Sequence, residues 1–264
     1  MPDQTKFNKL ANKHVLILGG TSGIGYGVAE ACLESGAARV IVASSNSERI
    51  SKAVSKLTSA YPSRASAVVG GPATDLSNQD TIDANIKALL ESTVAGGKLD
   101  HVVMTAGDAL KYKPIAETDM PDMIQSGMVR YFGSLLLAKH CPSYMNPGPG
   151  SSLTLTSGLM AQKPRPGVSS GIGYGAAIFI LAKSLSVDLK PLRVNVISPG
   201  AVLTEFWGAF PAGQVEAMMK MFEEKMTTGV MGKVEDVAEA YIYCMKDANM
   251  AGEIVSTNGG GLAM

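Results

Sequence analysis

Cysteine is scarce in this chain. Only Cys32, Cys141 and Cys244 occur in 264 residues, far apart and without Cys-x-x-Cys spacing. That argues against a disulfide framework and fits reduced thiols in a cytoplasmic protein. The three histidines, His14, His101 and His140, show no metal-ligand spacing, so no metal is expected. An excess charge of either sign is missing too: 23 Lys+Arg balance 23 Asp+Glu. Neither nucleic acid nor an anionic membrane is therefore an expected partner. No uninterrupted run of about 18 apolar residues exists, and Met1-Pro2-Asp3-Gln4-Thr5-Lys6 lacks the apolar stretch of a signal peptide. Neither a membrane span nor secretion is expected.

What the chain has is apolar bulk, 46% hydrophobic against 17% charged, which implies a large core. Short apolar runs at 14–18, 39–43, 65–70, 101–105, 152–156, 193–197 and 253–257 read as strands, apolar on both faces. Helical stretches fall between them at 26–35, 47–60, 81–95, 120–140 and 172–189. Alternation of this kind predicts an α/β fold: one doubly wound domain over 1–264, a seven-stranded parallel sheet flanked by helices. The Pro/Gly-rich segment 141–150 reads as a surface turn. Segment 204–232 breaks the alternation after the sixth strand and carries Met218, Met219, Met221, Met226 and Met231, read as helix core.

After the first strand comes Leu18-Gly19-Gly20-Thr21-Ser22-Gly23-Ile24-Gly25, opening a helix. Glycines at 19, 23 and 25 permit a tight turn and a close backbone approach to a pyrophosphate, which free N–H groups at the helix start would bind. Thr21, Ser22 and Ile24 complete that loop. After the second strand, Ser44-Ser45-Asn46 carries no acid to accept a ribose 2′-hydroxyl. Hydroxyls and an amide suit a 2′-phosphate, so the expected cofactor is NADP(H); Arg49 is close in sequence.

With Val194-Asn195, Ser198-Pro199-Gly200, Gly252-Glu253-Ile254-Val255 and Asn258-Gly259-Gly260-Gly261, these motifs resemble the short-chain dehydrogenase/reductase family over nearly the whole chain. The resemblance implies a Rossmann fold, with Asp75 and Leu76 near adenine and Ala106 and Gly107 beside the cofactor. It places Pro199, Gly200, Val202 and Thr204 at the nicotinamide and a small helical substrate lid at about 204–232. Homo-oligomers, dimers or tetramers, are common in such a family. Leu18 stands where the family usually has threonine.

The same register exposes departures. Ser157 matches the family's substrate-binding serine, but its catalytic tyrosine and lysine positions fall on Gly171 and Gly175. Tyr174 lies three residues past the tyrosine position. The helix asparagine is replaced by Arg130, and Asn-Asn-Ala-Gly by Met104-Thr105-Ala106-Gly107.

Hydride addition to a ketone leaves an alkoxide that needs a positioned acid, whereas addition to an iminium carbon leaves a neutral amine. Losing the acid while keeping the cofactor motifs therefore favours a C=N⁺ substrate. Asp108 follows Ala106-Gly107 at a strand's carboxyl end, where such sheets place ligands. Arg130 lies among Met128, Val129, Tyr131 and Phe132, costly there unless paired, with Asp108 the nearest candidate. The two read either as a structural ion pair or as catalytic groups, Asp108 holding a substrate nitrogen or moving a proton and Arg130 orienting it. Val168 and Gly171 read as pocket wall.

Glycine at both slots together with Asp108 and Arg130 resembles a fungal reductase/Diels–Alderase branch of the family. That branch implies a prenylated indole alkaloid substrate, reduced with NADPH as a zwitterionic iminium and then cyclised in the same pocket. A carbonyl reductase with Tyr174 or Ser157 as a rearranged donor, and a non-catalytic NADP(H)-binding protein, stay open.

Overall fold

The central apolar runs form strands that are covered on both faces. The computed structural model describes residues 6–107, 113–205, 207 and 212–264. Its strands are β1 (His14–Leu18), β2 (Arg39–Ala43), β3 (Val68–Gly70), β4 (His101–Met104), β5 (Ser152–Thr156), β6 (Arg193–Pro199) and β7 (Ile254–Thr257). All pair in parallel in the order β3-β2-β1-β4-β5-β6-β7. The helices are α1 (Gly23–Glu34), α2 (Ser47–Ala60), α3 (Ile82–Thr93), α4 (Met120–Gly127), α5 (Gly133–Tyr144), α6 (Ser169–Asp188), α7 (Ala212–Glu224) and α8 (Val234–Lys246).

Side-chain alternation along β1 divides the core in two. Leu16 and Leu18 pack with Ile86 and Leu89 of α3 and Leu137 of α5. Val15 and Ile17 face the opposite layer, with Val28 and Cys32 of α1 and Val237 and Tyr241 of α8. Strands buried on both sides lose the polar alternation of half-exposed ones. The edge strands depart from that expectation: β3 and β7 are only partly buried, since no strand covers their outer rims.

Four expectations about elements need correction. The strand read at 65–70 shrinks to Val68–Gly70, because Pro62–Ala67 forms a 3-10 turn. The helix read at 120–140 is α4 and α5 joined by a π-helical turn, Met128–Phe132. The turn read at 141–150 begins later, since α5 runs to Tyr144 and buries Cys141 completely. Finally, α8 was not anticipated as a helix.

Helix α8 is fastened by Arg193, whose buried guanidinium donates to the carbonyls of Cys244 (2.7 Å), Met245 (3.0 Å), Met250 (3.1 Å) and Pro149 (2.6 Å). Two of those carbonyls lie in the last turn of α8, where a cation also complements the helix dipole. By length and composition α6 is apolar enough to cross a bilayer. Its Ile178, Phe179, Ala182 and Leu185 are nevertheless buried in the core beside the sheet.

Candidate active site

The chain reverses direction across the sheet between β1 and β4, and open α/β sheets bind ligands beyond the strand ends at such a point. The loop after β1 is drawn tight there. The Leu18 carbonyl accepts the Thr105 and Ala106 amides at 2.9 and 3.0 Å. Gly19 adopts φ +86°, and a Cβ there would stand 2.6 Å from the Ala106 nitrogen. A side chain at Gly25 would meet the Gly19 carbonyl oxygen within 2.3 Å. Both positions therefore require glycine. Ser22 is the N-cap of α1 in extended backbone and makes no side-chain cap, which leaves the helix start open to an acceptor. That acceptor is Glu205, whose Oε2 takes the Gly23 amide at 2.9 Å.

At the end of β2, Asn46 serves as N-cap of α2, its Oδ1 accepting the Arg49 amide at 2.9 Å. Arg49 Nη2 donates to Ser45 Oγ at 3.1 Å. This brings a guanidinium beside Ser44, Ser45 and Asn46, which closeness in sequence alone had not fixed. Asp75 closes a turn of its own, its Oδ1 accepting the Ser77 amide at 2.9 Å and the Ser77 hydroxyl at 2.7 Å. Those bonds hold its pKa below the usual carboxylate range. Leu76 is buried in the core.

A cavity of about 510 Å³ opens beside the α1 loop. It takes in the expected Ile24, Arg130, Ser157, Val168 and Gly171. It also takes in Pro199, Gly200, Val202 and Thr204. Trp207, Phe222 and Lys225 reach this wall from within the segment 204–232 expected to form the lid, whereas Arg165, before α6, was not anticipated. Met226 lines the cavity while staying buried, so this methionine serves both core and wall.

The positions read as replaced each have a local account. Gly171 and Gly175 both line the cavity. A Cβ on Gly175 would make ordinary contact with Ala161 at 3.4 Å, whereas one on Gly171 would press Ser126 Cβ at 3.0 Å. Ser157 lines the cavity, but its hydroxyl donates to the Gly175 carbonyl at 2.6 Å. Tyr174 lies face-on over Gly127, where a Cβ would stand 2.8 Å from its Cζ. Its ring packs 5.5 Å from Tyr131 and 5.7 Å from Phe132.

Arg130 sits in the π-helical turn, a distortion frequent at functional sites. Its Nη1 donates to the Thr156 carbonyl at 3.0 Å, at the end of β5, and its guanidinium fills the space above Gly107. The expected partner Asp108 lies outside the described residues. Beneath Arg130, Tyr241 shares a 2.8 Å hydrogen bond with Thr156 and is fully buried, which raises its pKa strongly. It is therefore packing rather than a donor to the cavity.

A family model described as an SDR-like Rossmann domain matches residues 6–264. The chain belongs to the short-chain dehydrogenase/reductase family. The curated short-chain dehydrogenase/reductase malC of Malbranchea aurantiaca is 38% identical over 260 residues, 98% of each chain. Its counterpart fsr5 of Gibberella fujikuroi is 36% identical over 97% of this chain and 96% of its own. The structure of the MalC reductase/Diels–Alderase superposes with a TM-score of 0.93 at 38% identity, covering 98% of this chain and all of that one. A small-chain dehydrogenase in complex with NADPH matches at 26% identity and TM-score 0.74, over 96% of this chain and 100% of that one. The fold is thus the dinucleotide-binding fold of a family of oxidoreductases, and the glycine loop and Arg49 fit NADP(H).

Proposed function

We propose that this protein is an NADPH-dependent reductase of a C=N⁺ bond, and that its cavity then holds the product for an intramolecular Diels–Alder cycloaddition. The observation that carries the first part is the pair of glycines in the cavity wall. At Gly171 and Gly175 neither a phenol nor an ammonium is available, and no tyrosine in the chain is followed four positions on by a lysine. When bound, NADPH would supply hydride. The loop at Gly19–Gly25 would hold its pyrophosphate, and Ser44, Ser45, Asn46 and Arg49 its 2′-phosphate. Val202 and Thr204 would orient the nicotinamide.

As hydride adds to an iminium carbon, the C=N π electrons become the nitrogen lone pair and no proton is consumed. A ketone would leave an alkoxide instead. Ser157 already donates to the Gly175 carbonyl, and Tyr174, which also lines the cavity, packs its ring against Tyr131 and Phe132. Cycloaddition needs no side-chain chemistry, only a cavity that holds both reacting parts together. It is supported by the likeness to MalC reductase/Diels–Alderase and by the apolar residues in the wall, among them Val168, Pro199 and Phe222. A prenylated indole alkaloid is the substrate class this reading favours, with Asp108 paired to the nitrogen and Arg130 fixing Asp108 or a substrate carbonyl.

NADPH consumption with a matched pair, a cyclic iminium and the corresponding cyclic ketone, each bearing the same carboxymethyl group, tests the hydride step. Turnover of the iminium alone, retained in Tyr174→Phe, is expected. Turnover of the ketone, lost in Tyr174→Phe, would establish a carbonyl reductase with a rearranged acid.

The favoured assembly is a homo-oligomer. On α6, Ile180 and Val187 are each 67% exposed and stand two turns apart on one side. An apolar stripe on a long helix suits a second copy of the same chain. Light scattering should give at least a dimer for the native chain and a smaller particle for Ile180→Lys with Val187→Lys. A monomeric native chain would refute the assembly.

A further inference from the structure

The charged residues lining the cavity are Arg130, Lys163, Arg165 and Lys225: four cations and, among the described residues, no carboxylate. A chain with 23 charges of each sign does not produce such a wall by composition. Two of the four have structural work. Arg130 donates to the Thr156 carbonyl, and Lys163 Nζ donates to the Gly261 and Met264 carbonyls near the C-terminus.

Arg165 and Lys225 are different: neither has an ion-pair partner among the described residues. Arg165 lies before α6 and is half-buried; its guanidinium carbon sits 4.6 Å above the Phe222 ring of α7. Phe222 in turn meets Trp207 edge-on, with centroids 5.8 Å apart. Lys225 follows one residue after α7.

This arrangement has a chemical consequence. A guanidinium over an aromatic ring keeps its N–H groups in its own plane, where they can donate to a group beyond the ring. That fork matches an oxygen anion, and the pairing strengthens in a cleft with low-dielectric walls. Phe222 and Trp207 supply the apolar surface against which a flat ring would lie.

We propose that Arg165, stacked on Phe222 and assisted by Lys225, recognises an oxyanion, such as a carboxylate, carried at one end of a flat apolar substrate. The proposal rests on the reductase reading only in placing substrate in this cavity. It names the residues that would hold a substrate's negative group, while in that reading the nitrogen falls to Asp108.

The test uses two fluorescent dyes on protein saturated with NADP⁺: anilinonaphthalene sulfonate, and phenylnaphthylamine, which has a similar ring system but no charge. The sulfonate dye should bind about tenfold tighter, as one charge-assisted contact implies, and the advantage should shrink with added salt. Arg165→Gln with Lys225→Gln should abolish the difference while sparing the uncharged dye, and Arg165→Lys should lose part of it. Equal binding of both dyes to the native protein, or an unchanged preference in the double variant, would overturn the proposal. Should the double variant fail to fold, the native comparison and its salt dependence decide. No hydride transfer is involved, so a failure here is separable from failure of the iminium reading.

Discussion

At the scale of single residues, the site is governed by contacts between positions remote in sequence. Glu205 is the clearest case. Its carboxylate accepts the Gly23 amide 182 positions away, at the start of α1. It also contributes, after burial and Glu30, to pushing the Tyr26 hydroxyl up to about 12. A dinucleotide pyrophosphate needs the same helix start. A carboxylate there gains up to about 1 kcal/mol from the helix dipole, but beside a pyrophosphate it would face two like charges.

A pyrophosphate bound at the Gly23 amide would have to displace Glu205. Glu205→Gln should tighten NADP⁺ binding by roughly three- to tenfold in titration calorimetry, most strongly at low salt. Weaker or unchanged binding would mean the carboxylate leaves without cost or helps to hold the cofactor. Nothing in Thr204-Glu205 as a local pattern announces this role. Gly19, Gly23 and Gly25, by contrast, were legible because they sit on the first strand–helix turn and are backed by Val194-Asn195 and Ser198-Pro199-Gly200.

Legibility at the scale of elements follows the strength of local signals. Strands β1, β2 and β5 lie where the sequence places them because central strands, buried on both faces, are short unbroken apolar runs. Boundaries slipped at the edges, as at β3, where partial exposure weakens the pattern. The π-helical turn at Met128–Phe132 was not legible, since apolar periodicity does not separate it from the α-helices it joins. Yet that turn sets the direction of Arg130, so a sequence reading could name the residue and not its contact with the Thr156 carbonyl. Helix α8 did carry a signal, Glu235 and Asp236 in its first turn and Lys246 in its last. Arg165 and Phe222 belong to different elements and meet only through the fold, which is why the cavity's cationic wall could not be read along the chain.

For the molecule as a whole, the centre of the sheet couples folding to acid. His101 pairs with Val15 of β1 and Ser152 of β5, and its Nδ1 lies 2.9 Å from Ser152 Oγ. Burial pushes its pKa from 6.5 down to about 3. Beside it, burial alone would raise Asp100, but hydrogen bonds from the His14 amide, Lys13 and Asn146, with the Lys13 charge, hold it below the usual carboxylate range. Both shifts act in the same direction. Above pH 6.5 neither the folded nor the unfolded histidine carries a proton, and stability is undiminished. Below it the unfolded chain binds a proton that the native sheet refuses. Stability then falls by about 1.4 kcal/mol per pH unit until the folded value is reached, and Asp100 adds its loss only at the acid end. Urea unfolding of the native chain should therefore weaken by about 2 kcal/mol between pH 6.5 and pH 5, and His101→Asn should remove most of that slope despite a lower stability at neutral pH. An identical slope in the variant would place the acid sensitivity elsewhere than at the centre of the sheet.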